Sequence, residues 1–160
     1  VAGRVVNVLT LGTFDLFHAG HVALFRRCRN LAGSGGRVIV GLNTDEFVER
    51  YKGAPPVIGY VDREAVIEAC VHVDCVLPND QPDGTIRAVV DACRPDIIAV
   101  GWDWRSRDYL AQIGMTAPEL ANGRIEVVYL PYTPGAAGSS SAIKSRVRET
   151  TMLPVGGETR

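Results

Sequence analysis

His18 and His21 stand three positions apart, with Gly20 between them, in the stretch GTFDLFHAGH at residues 12–21. An apolar run, RVVNVLTL, leads directly into it. Two imidazoles so placed suit either a metal site or the binding of an anion. A zinc site ordinarily takes at least three protein ligands, and the one other histidine, His72, lies far along the chain. The spacing therefore favours an anion. Gly12 and Gly20 clear side chains from where a ligand would approach the backbone. A helix starting near Ala19 would turn unpaired N–H groups toward the same place, and such an end attracts phosphate. His18 would precede that helix and His21 would sit in its first turn, so both rings can face one polyphosphate. A polyphosphate neighbour would favour the protonated imidazole over its reference pKa of about 6.5. Two such donors would stabilise charge building on phosphate oxygens during a displacement.

These residues need a scaffold that brings a strand end and a helix start together. Continuous apolar runs predict strands over 5–11, 37–42, 74–78, 96–101 and 124–131, as in a parallel sheet covered on both faces. Helical patterns alternate with them. One covers 19–32, with Leu24, Phe25, Cys28 and Leu31 on a single stripe. Another covers 44–52, with Thr44 as its cap and acids in its first turn. Others cover 61–72, 85–94 and, after a serine run, 139–149. Residues 116–123 read as a short helix or turn, with Pro118 near its start and Gly123 at its stop. The fold class expected is α/β, a doubly wound parallel sheet in a single domain over 1–150, with 151–160 a flexible tail. Right-handed crossovers place ligands at the carboxyl ends of the strands, near the point where strand order reverses. The segments 12–21, 101–105 and 131–141 should converge on one crevice there.

The composition narrows the class of partner. The chain has 160 residues, 46% hydrophobic and 22% charged, enough for a single core. Seventeen basic against eighteen acidic residues give a net charge of -1. That balance excludes nucleic-acid binding by bulk charge, so an anion site must be local. No segment is apolar for long enough to span a membrane, and the opening run reads as a strand rather than a signal peptide. Cys28, Cys70, Cys75 and Cys93 complete no zinc set at their spacing. They read as packed thiols in a reducing, cytoplasmic setting.

GTFDLFHAGH resembles the His-x-Gly-His signature of the cytidylyltransferase-like nucleotidyltransferase superfamily. GLNTDEFVERYKG, YVDREAVIEACVHVDCVLP, IIAVGWDW and VVYLPYTPG…SSSAIK extend the likeness in the same order along nearly the whole chain. Within the superfamily the chain is most similar to the glycerol-3-phosphate cytidylyltransferases. The resemblance implies a Rossmann-like nucleotidyltransferase fold and a reaction. A phosphate oxygen of the acceptor attacks the α-phosphorus of CTP, and pyrophosphate leaves. The implied acceptor is a small phosphate or phosphonate such as glycerol 3-phosphate. Mg²⁺ is implied mainly through the nucleotide phosphates, without a metal site in the protein, and a homodimer is expected. An ATP-dependent adenylyltransferase and a non-catalytic nucleotide-binding module stay open. A nicotinamide domain would need Gly-x-Gly-x-x-Gly after the first strand, and GTFDLF lacks it.

The resemblance also assigns roles. His18 and His21 would stabilise the triphosphate in the transition state. Asp15 would orient the site or help hold Mg²⁺ through water. Thr13, Phe14 and Gly20 would line the loop. Lys52 would reach phosphate as a point charge, and Arg63 would contact the acceptor or the nucleotide phosphates. Gly101, Trp102, Asp103 and Trp104 would contact the base and ribose. Ser139, Ser140 and Ser141 would offer hydroxyls and a helix start to the β- and γ-phosphates. Tyr132, followed by Thr133, stands where the family carries an arginine. Loss of that bidentate donor matters, and Lys144 and Arg146 are the nearest candidates to replace its charge.

Overall fold

A computed structural model describes residues 5–131 and 139–151. Five strands form one sheet: β1 (Asn7–Gly12), β2 (Arg37–Asn43), β3 (Cys75–Asn79), β4 (Ile97–Gly101) and β5 (Glu126–Leu130). All neighbours are parallel, in the order β3-β2-β1-β4-β5. The chain winds outward from β1 to β3, returns across β1 to β4, and winds the other way. Strand order therefore reverses between β1 and β4. The doubly wound α/β class expected from the sequence is the fold observed.

Helices fill every crossover. They are α1 (Ala19–Ala32), α2 (Asp45–Lys52), α3 (Tyr60–Glu68), α4 (Arg87–Cys93), α5 (Tyr109–Ile113), α6 (Ala117–Gly123) and α7 (Ser140–Thr151). The period-2 alternation of the strands divides their side chains between two layers. Leu9, Ile39, Ile98 and Val100 pack with Val89 and Val90 of α4 and Ile113 of α5. On the other face Val8, Val38 and Ala99 meet Cys28 and Ala32 of α1. Val40 and Leu42 meet Phe25 of α1 and Ile67 of α3. Each fully buried aliphatic side chain contributes about 1.5–3 kcal/mol. All four cysteines are free, and burial pushes the Cys28 thiol up to about 12, which leaves it inert.

The local signals work as their chemistry requires. Thr44 Oγ accepts from Phe47 N at 3.2 Å and starts α2. Thr116 and Glu119 form a reciprocal capping box that makes 117–123 a true helix. Helix α3 ends at Glu68 rather than at 72, because the amides of Cys70 and Val73 turn back onto the carbonyls of Ile67 and Cys70. Helix α5 escapes a periodicity search because it has only five residues, although Asp108 caps it and Gly114 stops it in the left-handed region. Among the described residues no helix is long and apolar enough to cross a membrane.

Gly36 marks where α1 returns to the sheet. A Cβ there would lie 2.1 Å from the Ala32 carbonyl oxygen and 2.6 Å from that of Val6. Both obstacles are backbone and cannot rotate away. At Gly35, one residue earlier, a Cβ would meet nothing within 4 Å. Gly36→Ala is expected to lower the unfolding free energy by about 1–3 kcal/mol, as overpacking does. Gly35→Ala should stay within about 0.5 kcal/mol of the parent. Urea unfolding of the two variants checks the difference.

Candidate active site

The loop leaving β1 is tightly wound. Phe14 and Leu16 both adopt φ 50, a left-handed conformation that costs a side-chain-bearing residue energy. The turn drives the Phe14 ring inward, edge-on to Phe25 at 5.0 Å and to His21 at 5.2 Å between centroids. Gly12 makes room for it, since a Cβ there would lie 3.0 Å from the ring.

Asp15 is buried at 5% exposure, and its carboxylate is fully engaged. Its Oδ2 accepts from Val57 N at 3.1 Å and pairs with Lys144 Nζ at 2.9 Å, while Oδ1 accepts from Ile58 N at 3.0 Å. Burial would raise its pKa, but the donors outweigh it and hold the carboxyl below its ordinary value. Its backbone carbonyl accepts from Ser140 Oγ at 2.6 Å. Asp15 thus ties the β1 loop to the 57–58 segment and to α7.

The two histidines start α1 as their spacing suggests. His18 is the N-cap, and its Nδ1 accepts from Gly20 N at 3.1 Å. This bond places the hydrogen of the neutral ring on Nε2. The rings of His18 and His21 stack with centroids 3.8 Å apart. His21 Nδ1 is buried without a partner among the described residues, beside Phe14 and Phe17. Burial lowers the pKa of His18, and burial with the neighbouring His18 lowers that of His21 to about 4, against a smaller opposing pull from Asp15. Both rings are therefore neutral near pH 7 in the ligand-free protein. The protonation expected from the sequence is that of a pair beside a polyphosphate, whose charge would offset this desolvation.

The second helix start is α7. Ser139 Oγ accepts from Ala142 N at 3.1 Å and caps it. Ser140 is committed to Asp15, and Ser141 has no partner among the described residues. His18, His21, Ser139, Ser140 and Ser141 line one lobe of a cleft, of about 360 Å³, together with Gly101, Trp104 and Arg27. A second lobe, of about 550 Å³, shares Thr13, Phe14, His21, Trp104, Ser140 and Ser141 with the first. It adds Asn43, Lys52, Arg107 and Lys144. Lys52 has no carboxylate partner among the described residues. Burial, then Lys144, lower its pKa, with Asp15 opposing. The cleft is thus a positively charged space whose one described carboxylate is already satisfied.

Several expected site residues lie elsewhere. Arg63 is 2% exposed and touches neither lobe. Its guanidinium donates to the carbonyls of Ile58, Thr13 and Asn43 and pairs with Asp45 at 2.7 Å. Four of its five N–H donors are spent on these groups, so it frames the cleft without lining either lobe. Trp102 is 44% exposed, with the Arg105 guanidinium 4.4 Å over its ring, and it lines neither lobe. Trp104 is the indole at the cleft, packed edge-on to Tyr109. Asp103 lies between them in the 3-10 turn Trp102–Ser106. Lys144 enters the cleft, but Arg146 lines a separate hollow on α7. Tyr132 and Thr133 lie outside the described residues, as does 152–160 of the expected tail. Sequence reasoning missed Arg107, whose guanidinium lies 5.2 Å over the Trp104 ring. It also missed Arg27, which donates to the Pro131 carbonyl. Neither belongs to a recognisable motif, and only the fold brings them to the cleft.

A magnesium ion has little to bind here directly. Among the described residues no group of three or more His, Cys, Asp or Glu side chains surrounds a common point. Asp15, expected to orient the site or to help hold Mg²⁺ through water, already accepts three hydrogen bonds. The donor set suits phosphate oxygens, not a protein-held cation.

The family model described as cytidylyltransferase-like matches residues 9–146. The chain belongs to the cytidylyltransferase-like family. This cytidylyltransferase-like chain is 32% identical over 143 residues to glycerol-3-phosphate cytidylyltransferase of Bacillus subtilis, covering 88% of the chain and 96% of that protein. It is 31% identical over 144 residues to FAD synthase of Korarchaeum cryptofilum, covering 89% and 92%. Against the bifunctional protein HldE of Magnetococcus marinus it is 39% identical over 124 residues, 77% of the chain but only 24% of that longer protein. Among solved structures, the lipopolysaccharide core biosynthesis protein of Thermoplasma volcanium superposes with a TM-score of 0.61 at 23% identity. That superposition covers 80% of this chain and 96% of the other, and at that identity it speaks for the fold alone.

The neutral histidines give a pH signature. The His21 pKa is about 4 in the folded protein, against an ordinary value of 6.5 for the free side chain. The unfolded chain then binds more protons between these values, so stability falls as pH drops from 6.5 toward 4 and levels off below. His21→Gln is expected to flatten that slope in denaturant titrations across the window. A slope unchanged by the substitution would contradict the assignment.

Proposed function

We propose that this domain, residues 1–150, transfers CMP from CTP to a phosphate or phosphonate acceptor, with glycerol 3-phosphate the first acceptor to test. The observation that carries the reading is the shared cleft: His18, His21, Ser139, Ser140 and Ser141 line one lobe, and Lys52 and Lys144 line the adjoining one. In this reading the nucleotide occupies the lobe beside Gly101 and Trp104, and the acceptor occupies the lobe with the lysines. An acceptor oxygen forms a bond to the α-phosphorus, the bond from that phosphorus to the bridging oxygen breaks, and pyrophosphate departs. Such a displacement asks the protein for alignment and charge neutralisation rather than a covalent nucleophile.

The Nε2–H groups of His18 and His21 donate to the triphosphate, and its negative charge raises both imidazole pKa values as it binds. The Ser141 hydroxyl and the start of α7 face the departing phosphates. Lys52 supplies a point charge from the end of α2, and Lys144 and Arg107 stand in for the arginine that Tyr132 replaces. Mg²⁺ would enter with the nucleotide phosphates rather than on a protein site and would neutralise part of their charge. A homodimer and a cytoplasmic setting belong to the same reading.

An ATP-dependent adenylyltransferase is the second reading. Its support is the similarity to an FAD synthase over 89% of this chain, at nearly the identity found for the cytidylyltransferase. A panel of the four ribonucleoside triphosphates, each with Mg²⁺ and a set of phosphate acceptors, separates the two by pyrophosphate release. CTP is expected to lead, and a strong preference for ATP would replace the first reading with the second. Nucleotide binding without release from any acceptor would leave a non-catalytic module. His18→Ala and His21→Ala should each lower kcat by about tenfold to a thousandfold, the scale of losing one transition-state donor. Nucleotide affinity should change less. Wild-type turnover in either variant would remove the pair from catalysis.

A further inference from the structure

We infer that Asn43, oriented by Asn79, is a specificity-determining hydrogen-bond donor to a hydroxyl on the carbon body of the acceptor. The inference rests on the proposed transfer to a phosphate acceptor and adds what that acceptor must carry.

Asn43 and Asn79 are the last residues of β2 and β3, and they face each other directly in the parallel register. Strand alternation puts them on the same sheet face as Ile39 and Leu77, which pack under α4 and α5. They therefore sit where the apolar layer ends and the larger lobe begins. Asn79 is 0% exposed, and its Nδ2 donates to Asn43 Oδ1 at 2.8 Å. A side-chain amide has one accepting and one donating end. With its oxygen held by Asn79, Asn43 turns its NH₂ group to the lobe that it lines. The backbone is fixed as well: Arg63 Nη2 donates to the Asn43 carbonyl at 2.9 Å, and Thr44 N donates to the Asn79 carbonyl at 3.1 Å.

Asn79 gains nothing in the core from being an amide. Its Oδ1 is buried with no partner among the described residues, a costly arrangement that an apolar side chain would avoid. The arrangement makes sense through its effect on Asn43. The lobe of about 550 Å³ holds more than a phosphate group, and sites of about 300–1,000 Å³ enclose ligands well beyond that size. Lys52 and Lys144 are point charges that recognise phosphate and are indifferent to what it is attached to. A fixed amide donor on a strand end is the group suited to reading a hydroxyl.

The test compares hydroxylated acceptors with deoxygenated counterparts: glycerol 3-phosphate against propyl phosphate, and a hexose 1-phosphate against cyclohexyl phosphate. The wild type should prefer one hydroxylated member by about tenfold or more in kcat/KM, since a site built to bond a hydroxyl penalises its absence. Asn43→Leu should bring that preference to within about twofold, through the acceptor KM, while the CTP KM holds. Asn79→Leu should weaken the same preference without lowering thermal stability, which a merely structural role would not do. Equal use of both members by the wild type overturns the inference, as does a preference that survives Asn43→Leu. A parallel rise in both KM values with a lowered Tm overturns it too. Should either variant fail to fold, the wild-type comparison alone decides. If no acceptor releases pyrophosphate from any nucleotide, the proposed transfer fails separately. Calorimetric titration of the same phosphates then carries the test, with equal or no binding as the refuting result.

Discussion

Asp15 binds three segments that the sequence leaves far apart. Its carboxylate takes amide hydrogens from Val57 and Ile58 and a salt bridge from Lys144, and its carbonyl takes the Ser140 hydroxyl. Two helix starts, α1 and α7, come to share a cleft because each is anchored to the same turn. The anchoring is strong for a reason of physics. A buried carboxylate that lost these donors would face the full desolvation cost of its charge. Arg63 completes the frame from below, joining Thr13, Asn43 and Ile58 through their carbonyls. Between them, one buried acid and one buried base fix the shape of a cleft that neither occupies with a free valence.

The electrostatic consequence is a cleft tuned for an anion that arrives from outside. The frame consumes the one described carboxylate, while Lys52 and Arg107 are left without acidic partners among the described residues. The imidazoles are kept neutral by burial, so the ligand-free cleft avoids the repulsion that a crowd of cations would create. In the proposed reading a triphosphate would reverse that balance. It would supply the negative charge that Lys52 and Arg107 lack, and it would move the imidazole equilibria toward the charged form. Binding and protonation would then be coupled.

Much of the architecture was legible in the sequence. Apolar β-branched runs mark the five parallel strands, and their alternation with helices implies a doubly wound sheet, while the place of the reversal, between β1 and β4, comes from the fold. The place of His18 just before α1 is legible too, although its capping bond to Gly20 N is not. What failed to show was the direction of long polar side chains. Arg63 lies near the start of α3, and the same spacing fits a phosphate contact or a buried clamp; only its burial separates them. Trp102 and Trp104 are alike in type and two positions apart, yet the 3-10 turn sends one to solvent beside Arg105 and one to the cleft. The Asn43–Asn79 pair spans adjacent strands 36 residues apart, and no local pattern reports it. Tertiary register decides these cases, and one-dimensional spacing carries no record of it.

The central claim is that a single triphosphate chain bridges the starts of α1 and α7. A crystal structure with CTP and Mg²⁺ tests it most directly. The account predicts phosphate oxygens within about 2.7–3.2 Å of an imidazole Nε2 of His18 or His21 and, on the same nucleotide, of the Ser141 hydroxyl or an α7 amide. A nucleotide whose phosphates touch one helix start and leave the other to solvent would contradict it.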